Sequence, residues 1–196
     1  VIGEHTLVVA AVAAAAGAGG RQLVLVGPAR PELACPLTGA RAAAEPGPGP
    51  AVTVEFTREK PPGAGPVPAL AAGLRLVVQP WVLLLAADLP FLRSWHLRDL
   101  AAAAAAQARG AVLADDTGRP QWLTSCWPVI TLRAALAEYA GASLGGLLGP
   151  LAPVAVTLNP APAGRAGPER PPWLDCDTPE DLAAARRLAR PQEGIR

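Results

Sequence analysis

Short apolar runs alternate along this chain with alanine-rich stretches of helical length. QLVLVG (22–27), AVTVEF (51–56) and WVLLLA (81–86) carry almost no polar side chain, and AVLAD (111–115) and VAVTL (154–158) repeat the pattern in shorter form. Strands that are apolar on both faces belong in a parallel sheet covered on both sides. Between them the pattern predicts a helix over 6–16, with Thr6 as N-cap and the glycines of 17–20 ending it. Further helices are predicted over 67–76, over 94–107 with Ser94 as cap, over 131–139 and over 179–189. Loops fill 28–50, which closes on EPGPGP, and 159–172, NPAPAGRAGPERPP, where proline and glycine leave a helix little room. The order of elements predicts an α/β fold with a mainly parallel sheet between two helix layers, and one domain over 1–196.

Composition narrows the class. At 196 residues, 51% apolar and 17% charged, the chain is long and apolar enough for a sizeable core. A formal charge of +1 supplies no electrostatic pull toward nucleic acid or an anionic membrane. Lys60 is the only lysine among 17 basic residues, a bias that with the run of alanines at 101–106 points to a GC-rich genome. Alanine helices form readily but bury little area each, so the core rests on Val, Leu and Trp. Cys35, Cys126 and Cys176 are odd in number and without CxxC spacing, which argues against a disulfide framework or a zinc site. Residues 7–18 are apolar, but Glu4 and His5 stand ahead of them where an export signal carries Lys or Arg. No apolar run reaches the roughly 18 residues of a membrane span, and the expected compartment is the cytoplasm. The sequence has no Met, consistent with processing, an alternative start or a position inside a longer gene.

Charge is therefore used locally. Acids follow apolar segments at three places: Asp88, Asp115 with Asp116, and Asp175 with Asp177. A lone Asp after a strand serves equally as a turn or cap residue. For Asp88 that role is weaker, because Ser94 takes the cap of the next helix and a carboxylate among Val, Leu and Ala needs a partner that offsets its desolvation. A divalent cation is such a partner, and hard oxygen ligands completed by phosphates favour Mg²⁺. Pro90 stops the strand and leaves Asp88 at its carboxyl end, where ligands gather in open α/β sheets. In WLDCDTPEDLAAAR, the residues Thr178, Pro179 and Asp181 account for a helix start. Asp175 and Asp177 alternate on the extended segment just before it. The helix dipole tolerates them there, and they are equally suited to reach a cation shared with Asp88.

The segment REKPPGAGP (58–66) joins a strand to a helix, and Gly63, Gly65 and Pro66 suit either an ordinary turn or close approach of backbone N–H groups to a base or phosphate. GAGGR (17–21) follows a helix and precedes a strand, the wrong order for a dinucleotide fingerprint. His5 and His96 are isolated and read as surface or capping residues. Trp122 and Trp127, in PQWLTSCW, read as packing residues, and no GxSxG supports a serine hydrolase.

Taken in order, EKPPGAGPVPALAAGL, WVLLLAADLPFL, LADDTGRPQWL, ASLGGLLGPL and WLDCDTPEDLAAAR resemble the MobA-like nucleotidyltransferases over nearly the whole chain. The likeness is greatest to the branch that guanylylates molybdenum cofactor. It implies a three-layer α/β/α fold and transfer of a nucleoside monophosphate to a phosphorylated acceptor: GMP from GTP to molybdopterin, with Mg²⁺. By the same resemblance Asp88 is the metal-binding, catalytic acid and Asp175 and Asp177 help hold metal and acceptor. Gly65 and Pro66 lie beside the purine base, and Asp116, Gly118, Pro120 and Gln121 line the acceptor side. The chain departs from the pattern at its start, where VIGEHTLVVAAV resembles the segment after the family's LAGGxxxRxGxDK loop. The first strand, a central one, and its phosphate-binding loop are then missing. Lys60 lies at the wrong end of a different strand to replace the loop's lysine, and Gly145 stands where relatives often carry Arg. The resemblance leaves room for a sibling that uses CTP or a sugar-phosphate acceptor, and for a degenerate protein that binds nucleotide without catalysis.

Overall fold

Each of the five apolar runs becomes a strand, and a sixth strand appears where the pattern predicts none. The computed structural model describes residues 7–28, 52–157 and 171–174. Helix α1 (Leu7–Gly17) leads into β1 (Gln22–Val26); β2 (Thr53–Thr57), α2 (Pro66–Leu74) and β3 (Trp81–Leu85) follow. Then come α3 (Ser94–Ala106), β4 (Ala111–Ala114), β5 (Pro120–Pro128), α4 (Val129–Glu138), α5 (Leu144–Leu148), a 3-10 turn at Gly149–Leu151 and β6 (Val154–Thr157). Thr6, nearly all of the 28–50 loop and the helix expected over 179–189 lie outside the described residues.

β1 and β2 pair in parallel, with Leu23 opposite Val54 and Leu25 opposite Phe56. The other strands form a second sheet in the order β3-β5-β4-β6. β4 and β6 are parallel, while β5 is antiparallel to both of its neighbours. β3, β4 and β6 therefore point one way. Gln22, which opens β1, donates from Nε2 to the Leu76 carbonyl at 2.7 Å and accepts from the Val78 N–H at 3.1 Å. Residues 76 and 78 lie just ahead of β3, so β1 and β3 start at the same end of the molecule. Among the described strands β5 alone runs against the rest.

Helices cover both faces. On one, Leu23 of β1 and Leu83 and Leu85 of β3 pack against Ala14 and Ala15 of α1, Leu97 of α3, and Leu89 and Leu92. On the other, Val24 and Val82 join a cluster built from Leu74, Leu84, Trp127, Leu132 and Leu148. β1 and β3 thus share both helix layers, yet among the described residues no strand pairs with the two of them. Trp127 of β5 lies so close to Gly110, just ahead of β4, that a side chain there would run into its ring.

One cap differs from expectation. The residue before α3 is Arg93, and its N–H is held by Nδ1 of His96 at 3.0 Å. Ser94 is the first helical residue instead. His96 is the capping residue, and it is buried. An imidazole three residues into the helix reaches back as a capping-box Glu would.

Candidate active site

The shared direction of the strands brings their carboxyl ends to one rim. Gly27 follows β1 there, residues 58–66 follow β2, Asp88 follows β3, and the turn at 115–119 joins β4 to β5. The three segments that the sequence singles out within the described residues, far apart along the chain, thus lie at the same end of the two sheets.

Asp88 sits in a turn that is positioned by packing. The Ala86 N–H donates to the Leu123 carbonyl at 2.9 Å, carrying the β3–β5 ladder one step beyond the strand. Leu89, Phe91 and Leu92, buried to 5% exposure or less, then pin the chain beyond it. Asp88 itself is half-buried and its Oδ1 is shielded from solvent. Among the described residues no three His, Cys, Asp or Glu side chains converge as a metal cage. Mg²⁺ needs no such cage, since one or two carboxylates with substrate phosphates suffice, and a single acid at the strand end fits that mode. Asp175 and Asp177 lie outside the described residues.

The 58–66 loop is closed by its own acid. Oε1 of Glu59 accepts the Gly63 N–H at 2.7 Å, and that bond is the first cause holding the Glu59 carboxyl below its usual range. Gly63 (φ 80°) and Gly65 (φ 103°) adopt backbone conformations that favour glycine. Gly65 is the N-cap of α2, with its carbonyl accepting the Ala69 N–H at 3.2 Å, and Pro66 is the first helical residue. Lys60, exposed in this loop, follows the carboxyl end of β2. It therefore stands on the same rim as Asp88, contrary to expectation, because β2 and β3 run the same way; what separates it from Asp88 is its place after a strand of the other sheet.

The hairpin between β4 and β5 is organised by Asp115. Its Oδ1 accepts the Thr117 N–H (2.9 Å), the Thr117 hydroxyl (2.7 Å) and the Arg119 N–H (2.9 Å), and its Oδ2 accepts Nε2 of Gln121 (2.8 Å). The Thr117 hydroxyl leads the causes that hold this carboxyl below its usual range. Asp116 and Gly118 are exposed in the turn. Gln121 is brought to Asp115, and Asp116 is not its partner. The run DDTG carried the signal, since an Asp that opens a tight turn commonly accepts from the backbone two residues on. Beyond the hairpin, Trp122 lies over α5, and a Cβ at Gly145 would sit 3.1 Å from its Nε1. A side chain at 145 would require Trp122 to give way by a few tenths of an ångström. Cys126, buried in β5, has its thiol pushed up to about 11 by desolvation, which leaves it unreactive.

A family model described as the MobA-like NTP transferase domain matches residues 1–154. The chain belongs to this family. It is a nucleotidyltransferase, and the resemblance seen in the sequence holds. No curated protein matches it. Among solved structures it is similar to 2-C-methyl-D-erythritol 4-phosphate cytidylyltransferase from Thermus thermophilus, with a TM-score of 0.60 and 19% identity over 96% of this chain and 91% of that one. It is also similar to molybdopterin-guanine dinucleotide biosynthesis protein A from Archaeoglobus fulgidus, with a TM-score of 0.51 and 18% identity over 84% and 77%. At such identities the likeness is one of fold, and it agrees with the α/β class read from the sequence. No helix among the described residues is long and apolar enough to cross a membrane.

Proposed function

We propose that the protein transfers GMP from GTP to the phosphate of molybdopterin, releasing pyrophosphate, in the cytoplasm. The observation that carries this reading is the meeting of Asp88, the 58–66 loop and the 115–121 hairpin on one rim. In the proposed reaction an oxygen of the acceptor phosphate attacks the α-phosphorus of GTP. The bond from that phosphorus to the β-phosphate oxygen breaks, and pyrophosphate leaves. The acceptor phosphate has a second pKa of about 6, so it is already a competent nucleophile at neutral pH and no general base is required.

Asp88 would hold Mg²⁺, with Asp175 and Asp177 completing the cation site; the ion supplies charge neutralisation on the phosphates. The glycines at 63 and 65 let the loop backbone approach the purine base, with Gly65 and Pro66 orienting it. Asp116 and Gln121 line the acceptor side, Gln121 being held in place by Asp115.

Similarity to a cytidylyltransferase fold favours one second reading, transfer of CMP from CTP to another phosphorylated acceptor. Pyrophosphate release by the full-length protein with GTP or CTP, each with and without molybdopterin, separates the two. GTP with molybdopterin is expected to be the productive pair, and turnover only with CTP would reverse the assignment.

A further inference from the structure

β5 keeps two different registers with its two neighbours. Against β3 the pairing is unbroken from Trp81 opposite Pro128 to Leu85 opposite Thr124, and the Ala86 N–H to Leu123 carbonyl bond extends it. Against β4 it breaks. Val112 faces Ser125, yet the next residue, Leu113, faces Gln121. Residues 122–124 have no counterpart on β4; Thr124 stays opposite Leu85 of β3 and the Leu123 carbonyl takes the Ala86 N–H. A bulge of this kind leaves backbone groups without ladder partners and re-aims the side chains it carries.

One hydroxyl closes the bulge. Ser125 is fully buried, and its Oγ donates to the Trp122 carbonyl at 2.6 Å while accepting the Trp127 indole N–H at 2.8 Å. The indole can only donate, so the single hydroxyl proton is directed to the Trp122 carbonyl. Trp127 cannot shift to release it, because its ring is fully buried against Gly110. The chain between, including the largely exposed Leu123, is thereby kept on the Ala86 backbone two residues before Asp88.

We propose that Ser125 is a positioning residue: clamped between the Trp127 indole and the Trp122 carbonyl, its hydroxyl holds residues 123–124 against β3 and so sets Leu123 as an apolar wall for the acceptor's ring beside Asp88. The role of Leu123 rests on the nucleotidyl-transfer reading above; the clamp does not. Ser125→Ala in the full-length protein is expected to speed hydrogen exchange at the Ala86 amide at least about fivefold, the size that one hydrogen bond supports. It should also raise KM for molybdopterin by a similar factor, with KM for GTP and kcat little changed. Trp127→Phe, which keeps the ring but loses the donor, should move both readouts the same way; Ser125→Cys, a near-isostere with weaker hydrogen bonding, serves if the alanine variant does not fold. Unchanged Ala86 exchange in a folded variant overturns the clamp. Faster exchange with equal changes in both KM values, or with a fall in kcat alone, overturns the positioning of the acceptor wall. If no variant and no wild-type protein turns over nucleotide, the function reading fails, and the exchange data still decide the clamp.

Discussion

Asp88 and Asp115 both follow a strand, reach the same rim and are half-buried, yet the turns that carry them are anchored by different surroundings. Asp115 has both oxygens taken up by its own hairpin, with three donors on Oδ1 and the Gln121 amide on Oδ2. The turn that carries Asp88 is held by what surrounds it, the buried Leu89, Phe91 and Leu92. A carboxylate saturated by local N–H and O–H donors builds structure. Apolar packing just beyond Asp88 fixes its turn at the strand end, where a ligand would meet the carboxylate.

The comparison breaks most readily at Asp88. Asp88→Ala in the full-length protein is expected to lower pyrophosphate release from GTP by about 10²–10³-fold, the scale for losing one preorganised charge-stabilising group, while the melting temperature stays near wild type. Retained turnover would remove Asp88 from the site. A smaller effect is expected at the packing that supports it. Leu92→Ala should cost about 2–5 kcal/mol of stability and should also weaken Mg²⁺-dependent GTP binding. Leu132→Ala, on the opposite face of the sheet, should lose comparable stability without that binding defect; equal binding losses would mean that packing around Asp88 has no special role.

At the hairpin the expected effects are structural and depend on pH. The Asp115 carboxyl titrates below its ordinary 3.8, so its contribution to stability is present above that value and fades as pH falls through the lower, folded-state value. Asp115→Asn should therefore lower stability at neutral pH and flatten the acid limb of an unfolding titration below about pH 4. Glu59, displaced in the same direction, will keep part of that slope. An acid limb identical to wild type would show that Asp115 does not organise the turn. The smallest change is expected for Gln121→Ala, seen as faster exchange at the Thr117 and Arg119 amides with little change in melting temperature.

Much of this was legible in the chain. WVLLLA gives a strand because its side chains are apolar on both faces, and Pro90 fixes where it ends. Gly65 and Pro66 mark the start of α2 by backbone chemistry that no tertiary contact alters. PQWLTSCWP was not legible as a strand. It is bounded by prolines, and Thr124 and Ser125 look solvent-facing until both helix layers bury them beside Cys126 and Trp127. LGGLL was missed as a helix because two glycines in five residues oppose helix formation, and its burial against Trp122 overrides that preference. The Ser94 cap failed for a related reason: His96, buried over Trp95, supplied the acceptor.

By itself the sequence determined most of the local elements and the family, because strand burial, helix stops and turn residues depend on neighbours a few positions away. Only the tertiary structure decided that Asp115 organises its hairpin, that buried apolar residues anchor the turn of Asp88, that Lys60 shares the rim of Asp88, and that β5 enters against the grain with a bulge closed by Ser125. Those outcomes depend on strand direction and register, which are fixed by contacts between residues dozens of positions apart.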